Sequence, residues 1–403
     1  MIKNLLVSEI ITKFALRFFR NVFYAISNDM KKLNNPFVTY GYKGPEYFCD
    51  RDAETQAIIT ALHNERNITL VAPRRMGKTC LIHHVFNQIE QTQPDVRCFY
   101  VDIFPSKNMQ QMVQAMARAI LGKLDNPSQN ALHKVTQFFS RFRPTITYDE
   151  ISGAPTVSLD IAPNEERNTL KQIFEYMRQS GIRCYVAIDE FQQILNYNDT
   201  GVEALIRSYI QFLPNVYFIF AGSQHHVLEQ MFSSVNRPFF QSTQMMHLGP
   251  LDESKYRDFA NSFFVEQNRE ISAELFHKLY EMMHGVTWYV HAVLNRIYQE
   301  NEQSITPDFI EQIIEQLVNE QAYVFQNYYS AMTTNQAAIA VAIAHEQLVK
   351  KPLSQDFISR HKLPSPSSVQ AALEKLEWNQ TVMHDTSGYY IYDQFFAQWL
   401  STL

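Results

Sequence analysis

The run Ile68-Thr69-Leu70-Val71 breaks into Ala72-Pro73-Arg74-Arg75-Met76-Gly77-Lys78-Thr79 and continues through Cys80 and Leu81 into a helical pattern reaching about residue 89. A buried strand, a turn and a helix start in that order constrain the chain more than any other feature, because together they form a phosphate-binding loop. The pattern asks for Gly, four free residues and Gly-Lys-Ser/Thr; Ala72 holds the first glycine's place, while Gly77, Lys78 and Thr79 match. Glycine there tolerates positive φ, which costs alanine about 1 kcal/mol or more. Pro73 beside it implies a loop held rigidly in another allowed conformation. Backbone N–H groups of residues 74 to 79 would wrap a β-phosphate at the positive end of the helix. The binding stretch is then Pro73, Arg74, Arg75, Met76, Gly77, Lys78, Thr79 and Cys80, with Lys78 reaching the β and γ phosphates and Thr79 coordinating Mg²⁺. The bland alternative is a basic turn before a helix.

A second stretch favours the phosphate reading. Cys184-Tyr185-Val186-Ala187-Ile188-Asp189-Glu190 is an apolar run ending in two acids, the Walker B shape. Asp189 at the strand tip would hold Mg²⁺ through water, and Glu190 would polarise an attacking water, a general-base role for a carboxylate near the γ-phosphate. Acids at a helix start are the ordinary alternative, since that end favours negative charge.

With 403 residues the chain has room for two or three domains of about 100 to 200 residues. Lys and Arg number 35 against 41 Asp and Glu, a net charge of −6, so no global positive field draws in nucleic acid or anionic membrane. Cys49, Cys80, Cys98 and Cys184 are scattered without zinc or disulfide spacing, which fits small buried hydrophobes and a cytoplasmic location.

Residues 1–30 carry Leu6, Ile10, Phe14, Phe18 and Val22 at helical spacing, with Lys13, Arg17 and Arg20 on another face. They show no cleavage-site pattern and no run of about 20 uncharged apolar residues, which argues against a secretory signal and a membrane span. This basic amphipathic stretch is a membrane-surface helix, a helix docked on the rest, or sequence ahead of a true start at Met30, the reading we favour. An aromatic lead-in runs from Asn35-Pro36 to Tyr47-Phe48, positioned either against a base or as a packed loop, and an N-capped helix follows Asp50-Arg51 to about residue 64.

Further on, 97–103 reads as a buried strand and 108–124 as an amphipathic helix, and alternating strands and helices imply a parallel sheet. Asp102, at that strand's end, faces a metal or caps its loop. Residues 145–160 read as a β-hairpin insertion around Ser152-Gly153-Ala154-Pro155, followed by helices over 165–180 and 201–213. The strand 216–223 ends in Ser223, either a γ-phosphate sensor or the cap of the next helix. Arg237 is a weak candidate for an arginine finger, and 247–251 is the last short strand. From 252 to 330 the pattern is helical, with Ser254, Ser272 and Thr306-Pro307 as starts and His284-Gly285 as a stop. Helices over 335–346, 354–361 and 366–378 and a hairpin of 381–383 with 389–392 give winged-helix order.

Together, Asn35-Pro36-Phe37 with Asp50-Arg51, the loop 72–79, Ile188-Asp189-Glu190-Phe191-Gln192, Ala221-Gly222-Ser223, Gly249-Pro250-Leu251 and Asp393-Gln394-Phe395-Phe396-Ala397-Gln398-Trp399-Leu400 resemble the STAND-type, archaeal-style AAA-related P-loop ATPases over roughly 34–403. The resemblance implies an α/β fold: a P-loop NTPase parallel-sheet core over 34–251, a helical lid over 252–330 and a C-terminal winged-helix domain over 331–403, after an extension over 1–33. It also implies ATP with Mg²⁺ as ligands and Glu190, Lys78 and Ser223 as catalytic residues, with Thr79 and Asp189 on the metal. Two departures stand out: Gly285-Val286-Thr287 lacks the proline of the family's lid element, and Phe239-Phe240 replaces a more usual Leu-Tyr.

The function expected is an ATP-hydrolysing switch in which ATP with Mg²⁺ closes core on lid, slow hydrolysis to ADP reopens it, and the tail signals to a protein partner, with oligomerisation open. A DNA-binding winged helix is the alternative. Lys350, Lys351, Arg360, Lys362 and Lys375 are, however, outnumbered by Glu346, Asp356, Glu374, Glu377, Asp385 and Asp393, which disfavours phosphate contacts. A third possibility is an ATP-binding scaffold that never hydrolyses.

Overall fold

The structure, a computed structural model, describes residues 33–121, 123–124, 138–139, 144–148, 155–162, 164–300 and 304–403, with the backbone alone for 144–148 and 155–158. The helix expected over 1–30 and the turn at 151–154 lie outside the described residues. The chain divides into the units Met1–Pro36 and Phe37–Leu403. The first has no helix or strand among its described residues, and every element named below belongs to the second.

The chain runs α1 (Asp52–His63), β1 (Ile68–Val71), α2 (Lys78–Thr92), β2 (Val96–Asp102), α3 (Met109–Ile120), the hairpin β3 (Pro144–Tyr148) and β4 (Pro155–Leu159), α4 (Glu166–Ser180), β5 (Arg183–Asp189), α5 (Val202–Ile210), β6 (Val216–Gly222), α6 (His225–Ser233) and β7 (Gln244–His247). Strands β2-β5-β6-β1-β7 form one sheet with every pairing parallel. All residues of β1 and β6 are buried, which is why they read as unbroken apolar runs. The period of two sorts them onto opposite faces. Leu70, Tyr185, Ala187, Ile219 and Ala221 join a core with α1 and α2. Val71, Val186, Ile188, Phe218 and Phe220 join a second with α3, α4 and α5.

Four helices follow: α7 (Glu253–Phe264), α8 (Ala273–Met282), α9 (Thr287–Gln299) and α10 (Pro307–Ser330). The tail then adds α11 (Thr334–Glu346), α12 (Gln355–Arg360), α13 (Pro366–Trp378), β8 (Val382–His384), β9 (Tyr389–Ile391) and α14 (Gln394–Leu400), with β8 and β9 antiparallel. Phe325 of α10 packs on Phe396 of α14, ring centroids 5.4 Å apart, so the long helix is built into the tail.

Several expectations are corrected. The last strand is Gln244–His247 and not 247–251: Gly249-Pro250 cannot continue a ladder, whereas 244–247 pairs with β1 as an edge strand. Helix α7 is capped by Asp252, whose carboxylate accepts from Lys255 N–H, rather than by Ser254. Helix α1 begins without a side-chain cap, its entry held by Asp50 and Arg51 at φ 53° and 74°. Arg51 is buried and donates to the Gly249 carbonyl at 2.6 Å, tying α1 to the loop after β7. The His284-Gly285 stop holds, both residues having positive φ.

Candidate functional site

Because β1, β2, β5 and β6 are parallel, their carboxyl ends share one edge of the sheet, where ligands of such sheets bind. The turn 72–77 leaves β1 there, and Asp102 stands opposite Asp189 in register. Ala72 is buried and is not among the residues with positive φ. The left-handed positions are instead Arg75, at φ 64°, and Gly77, at φ 89°. The expectation that the alanine avoids strain is met, and the strained residue is three places later.

Lys78 is buried at the start of α2 and donates from Nζ to the Ala72 and Pro73 carbonyls, at 2.8 and 2.9 Å. Burial lowers its ammonium below the usual lysine range, opposed by Glu190 and Asp189. Thr79 Oγ1 donates to Asp189 Oδ2 at 2.7 Å, so the loop's hydroxyl and the strand-tip carboxylate meet. Tyr100 donates to the same oxygen at 2.7 Å; burial first, and then that carboxylate, push its phenol up and keep it a donor. The Tyr100 ring lies 4.6 Å from that of His83, whose imidazole burial lowers.

Glu190 follows at φ 54°, and its Oε2 accepts from Ser223 Oγ at 2.8 Å, from Ser223 N–H at 3.3 Å and from Gln192 Nε2. Ser223 also accepts from Arg74 Nε at 3.4 Å, linking the loop to Glu190 through one hydroxyl. The residue before α6 is Gln224, with no side-chain cap, so Ser223 serves the carboxylate rather than the helix. Asp102 Oδ1 accepts from Phe104 N–H at 2.8 Å, the loop-capping alternative.

A cavity of about 520 Å³ joins these groups to the lead-in, lined by 38–43, Phe48, Met76, Thr287, Trp288 and His291 among others. The aromatic lead-in therefore faces the loop, and Cys80 Sγ donates to the Gly41 carbonyl at 3.5 Å. Thr287, where the family's lid element has proline, borders this cavity. All four cysteines are free thiols, two buried and two half-buried. Arg237 is elsewhere: its guanidinium pairs with buried Glu203 at 2.8 Å, and Phe239 is packed among Phe191, Phe220 and Phe232.

Sequence reasoning assigns no role to Tyr100, Tyr289, Gln380 or Tyr392, and carries Gln192 only as the last residue of the motif 188–192. Tyr392 donates to the Arg74 carbonyl, Tyr289 accepts from Arg75 Nη1, and Gln380 Nε2 donates to the Ser223 carbonyl at 3.1 Å. The Gln192 signal was present, two residues after the acid pair; the others come together only by tertiary packing.

The donors fit a polyphosphate with a hard cation. Hydroxyl and carboxylate oxygens from Thr79 and Asp189 suit Mg²⁺, and a buried ammonium stands at a helix N-terminus beside a turn of N–H groups. Strand order, loop and acid pair define the core as an α/β P-loop NTPase fold followed by a winged helix. Residues 61–231 match the family model described as AAA domain, and residues 323–402 match the one described as probable winged helix domain. Among solved structures, the chain is similar to a Walker-type ATPase of Pyrococcus abyssi at 18% identity and a TM-score of 0.62, covering 91% of this chain and 99% of that one. At that identity the likeness is one of fold. Looser likenesses are to the ORC1 protein of Aeropyrum pernix in complex with DNA (11% identity, TM-score 0.47, 91% and 96% covered) and to the RuvB Holliday junction branch migration motor of Thermotoga maritima (12%, 0.44, 90% and 98%). No curated protein matches in sequence. Among the described residues no helix is long and apolar enough to cross a membrane.

Proposed function

We propose that the chain is a Mg²⁺-dependent ATPase of switch type, in which a core over 34–251, a lid over 252–330 and a winged helix over 331–403 respond to the nucleotide and signal to a protein partner. The observation that carries it is the 2.7 Å contact of Thr79 with Asp189, which joins the loop to the strand tip. Lys78 and the N–H groups of 74–79 hold the phosphates; Thr79 would hold Mg²⁺ directly and Asp189 through water, and the ion would neutralise phosphate charge. Glu190 orients and deprotonates the attacking water, and its bonds to Ser223 keep its carboxylate at the phosphate edge of the sheet. Protein partners rank ahead of DNA because α13 exposes Gln370, Ala371, Glu374 and Trp378 around its one cation, Lys375.

Equilibrium binding of a fluorescent ADP and phosphate release from ATP test this. Lys78→Ala abolishes both, whereas Glu190→Gln keeps binding and loses turnover by about a hundredfold or more. Wild-type protein that binds no nucleotide sinks the reading, and equal turnover in wild type and Glu190→Gln leaves a non-hydrolysing scaffold. A salt-dependent gel shift with duplex DNA, lost on removing 331–403, would put DNA ahead of a protein partner.

A further inference from the structure

A loop that wraps an anion turns its N–H groups inward, which leaves its carbonyls facing outward. Outward carbonyls that water does not reach need donors. Here four of the loop's carbonyls have named donors. The Ala72 and Pro73 carbonyls receive Lys78 Nζ. The Arg75 carbonyl receives the backbone N–H of Trp288, from the helical lid, at 3.1 Å. The Arg74 carbonyl receives the hydroxyl of Tyr392, a buried residue of the winged helix.

Arg75 has φ 64°, a conformation that residues with a Cβ adopt only at a cost. Its side chain is held on three sides. Nη1 meets Asp393 Oδ2 at 2.9 Å and the Tyr289 hydroxyl, and the guanidinium lies 4.3 Å from the Trp288 ring centroid and 4.9 Å from that of Tyr289. Gln380 adds a third thread from the winged helix, to the Ser223 carbonyl. Tyr289, Gln380, Tyr392 and Asp393 stay off the cavity, whereas Arg74, Arg75, Gly77, Lys78, Thr79 and Trp288 line it.

Resting on the nucleotide reading, we propose that the winged helix is a working part of the phosphate-binding loop. Tyr392 and Asp393 are positioning residues that hold Arg74 and Arg75 in the conformation that presents the loop's N–H groups. Docking of the winged helix and binding of a nucleoside diphosphate or triphosphate therefore strengthen each other, and by linkage a partner that pulls the winged helix away ejects the nucleotide.

The test uses the full chain and equilibrium titration with fluorescent ADP. Tyr392→Phe strips the Arg74 carbonyl of its donor. Asp393→Asn removes the ion pair while keeping the cap that Asp393 Oδ1 gives to Phe396 N–H. Each weakens ADP binding about five- to tenfold, while adenosine, which lacks phosphates, competes as well as it does with wild type. In an Arg75→Ala background Asp393→Asn has no further effect. Hydrogen exchange on wild-type protein supplies a measurement independent of variants: ADP slows exchange over 389–400. ADP affinity within about twofold of wild type in both variants, or tighter binding in either, overturns the proposal, as does unchanged exchange over 389–400. A wild type that binds ADP and loses it in Lys78→Ala, with Tyr392→Phe and Asp393→Asn binding as wild type, refutes this inference and leaves the nucleotide reading standing. Wild type that binds no ADP refutes the nucleotide reading itself.

Discussion

Gly222→Ala is the sharpest probe of how Glu190 is held. A Cβ built on Gly222 would fall 2.0 Å from Gln192 Oε1, 3.1 Å from its Cδ and 3.4 Å from Leu228 Cδ2. The first of these is at least about 1 Å short of ordinary contact. Gln192 is buried, and its amide nitrogen donates to Glu190 Oε2, so its far end cannot move without leaving the carboxylate. Either the strand shifts, at the usual overpacking cost of about 1–3 kcal/mol, or the amide swings away and a hydrogen bond to a charged group worth about 1.5–3 kcal/mol is lost. A domain of this size melts about 2–4 °C lower per kcal/mol, so the variant should melt roughly 2–12 °C below wild type. Turnover should fall while ADP affinity stays, because Gly222 does not line the cavity. Thermal unfolding and phosphate release on Gly222→Ala, Gln192→Ala and the double variant close a cycle. Once Gln192 is truncated the added methyl has nothing to strike, and Gly222→Ala should then cost under about 0.5 kcal/mol. Equal costs in both backgrounds would refute the steric reasoning.

Two more outcomes rest on buried groups. Arg237→Ala leaves Glu203, whose carboxyl burial already pushes up, without its cation; thermal unfolding should show a loss of about 2–4 kcal/mol, with turnover unchanged well below the melting point, and a collapse of turnover would restore Arg237 as a finger. Burial in the lid lowers the His291 imidazole to about 4, with Tyr256 hydrogen-bonded to its Nδ1. An unfolded chain takes up that proton near pH 6.5, so between about 6.5 and 4 the unfolded state binds more protons and stability falls as pH drops, by up to about 3 kcal/mol. His225, also lowered to about 4, acts in the same direction. Urea midpoints across that window should slope less for His291→Gln than for wild type, and identical slopes would sink the assignment.

Much of the sheet was legible because β1, β5 and β6 are buried on both faces and so read as unbroken apolar runs. The edge strand β7 was misplaced for the opposite reason: Gln244-Met245-Met246-His247 has exposed ends and no run, and the neighbouring Leu248 and Leu251 drew the assignment forward. The last helix, Gln394–Leu400, is too short for periodicity to show. Its cap Asp393 was visible as a residue type, but not as the partner of Arg75, 318 positions away.

The site divides along the same line. Lys78, Thr79, Asp189, Glu190 and Ser223 sit at fixed offsets from strand ends, so local spacing placed them. Ser223 stayed ambiguous between sensor and cap because both roles need a hydroxyl at that position; only the direction of Oγ toward Glu190 separates them. Ala72 drew attention because a motif position marks it, yet backbone geometry shifted the demand to Arg75, a residue the motif leaves free. A left-handed arginine is tolerable where its carbonyl and guanidinium are both held, and the holders, Trp288, Tyr289 and Asp393, come from the lid and the tail. Motif spacing describes what touches the ligand. What sets the backbone of the loop comes from distant elements, so a change at Tyr392 or Asp393 should reach the phosphates without altering any residue of the motif.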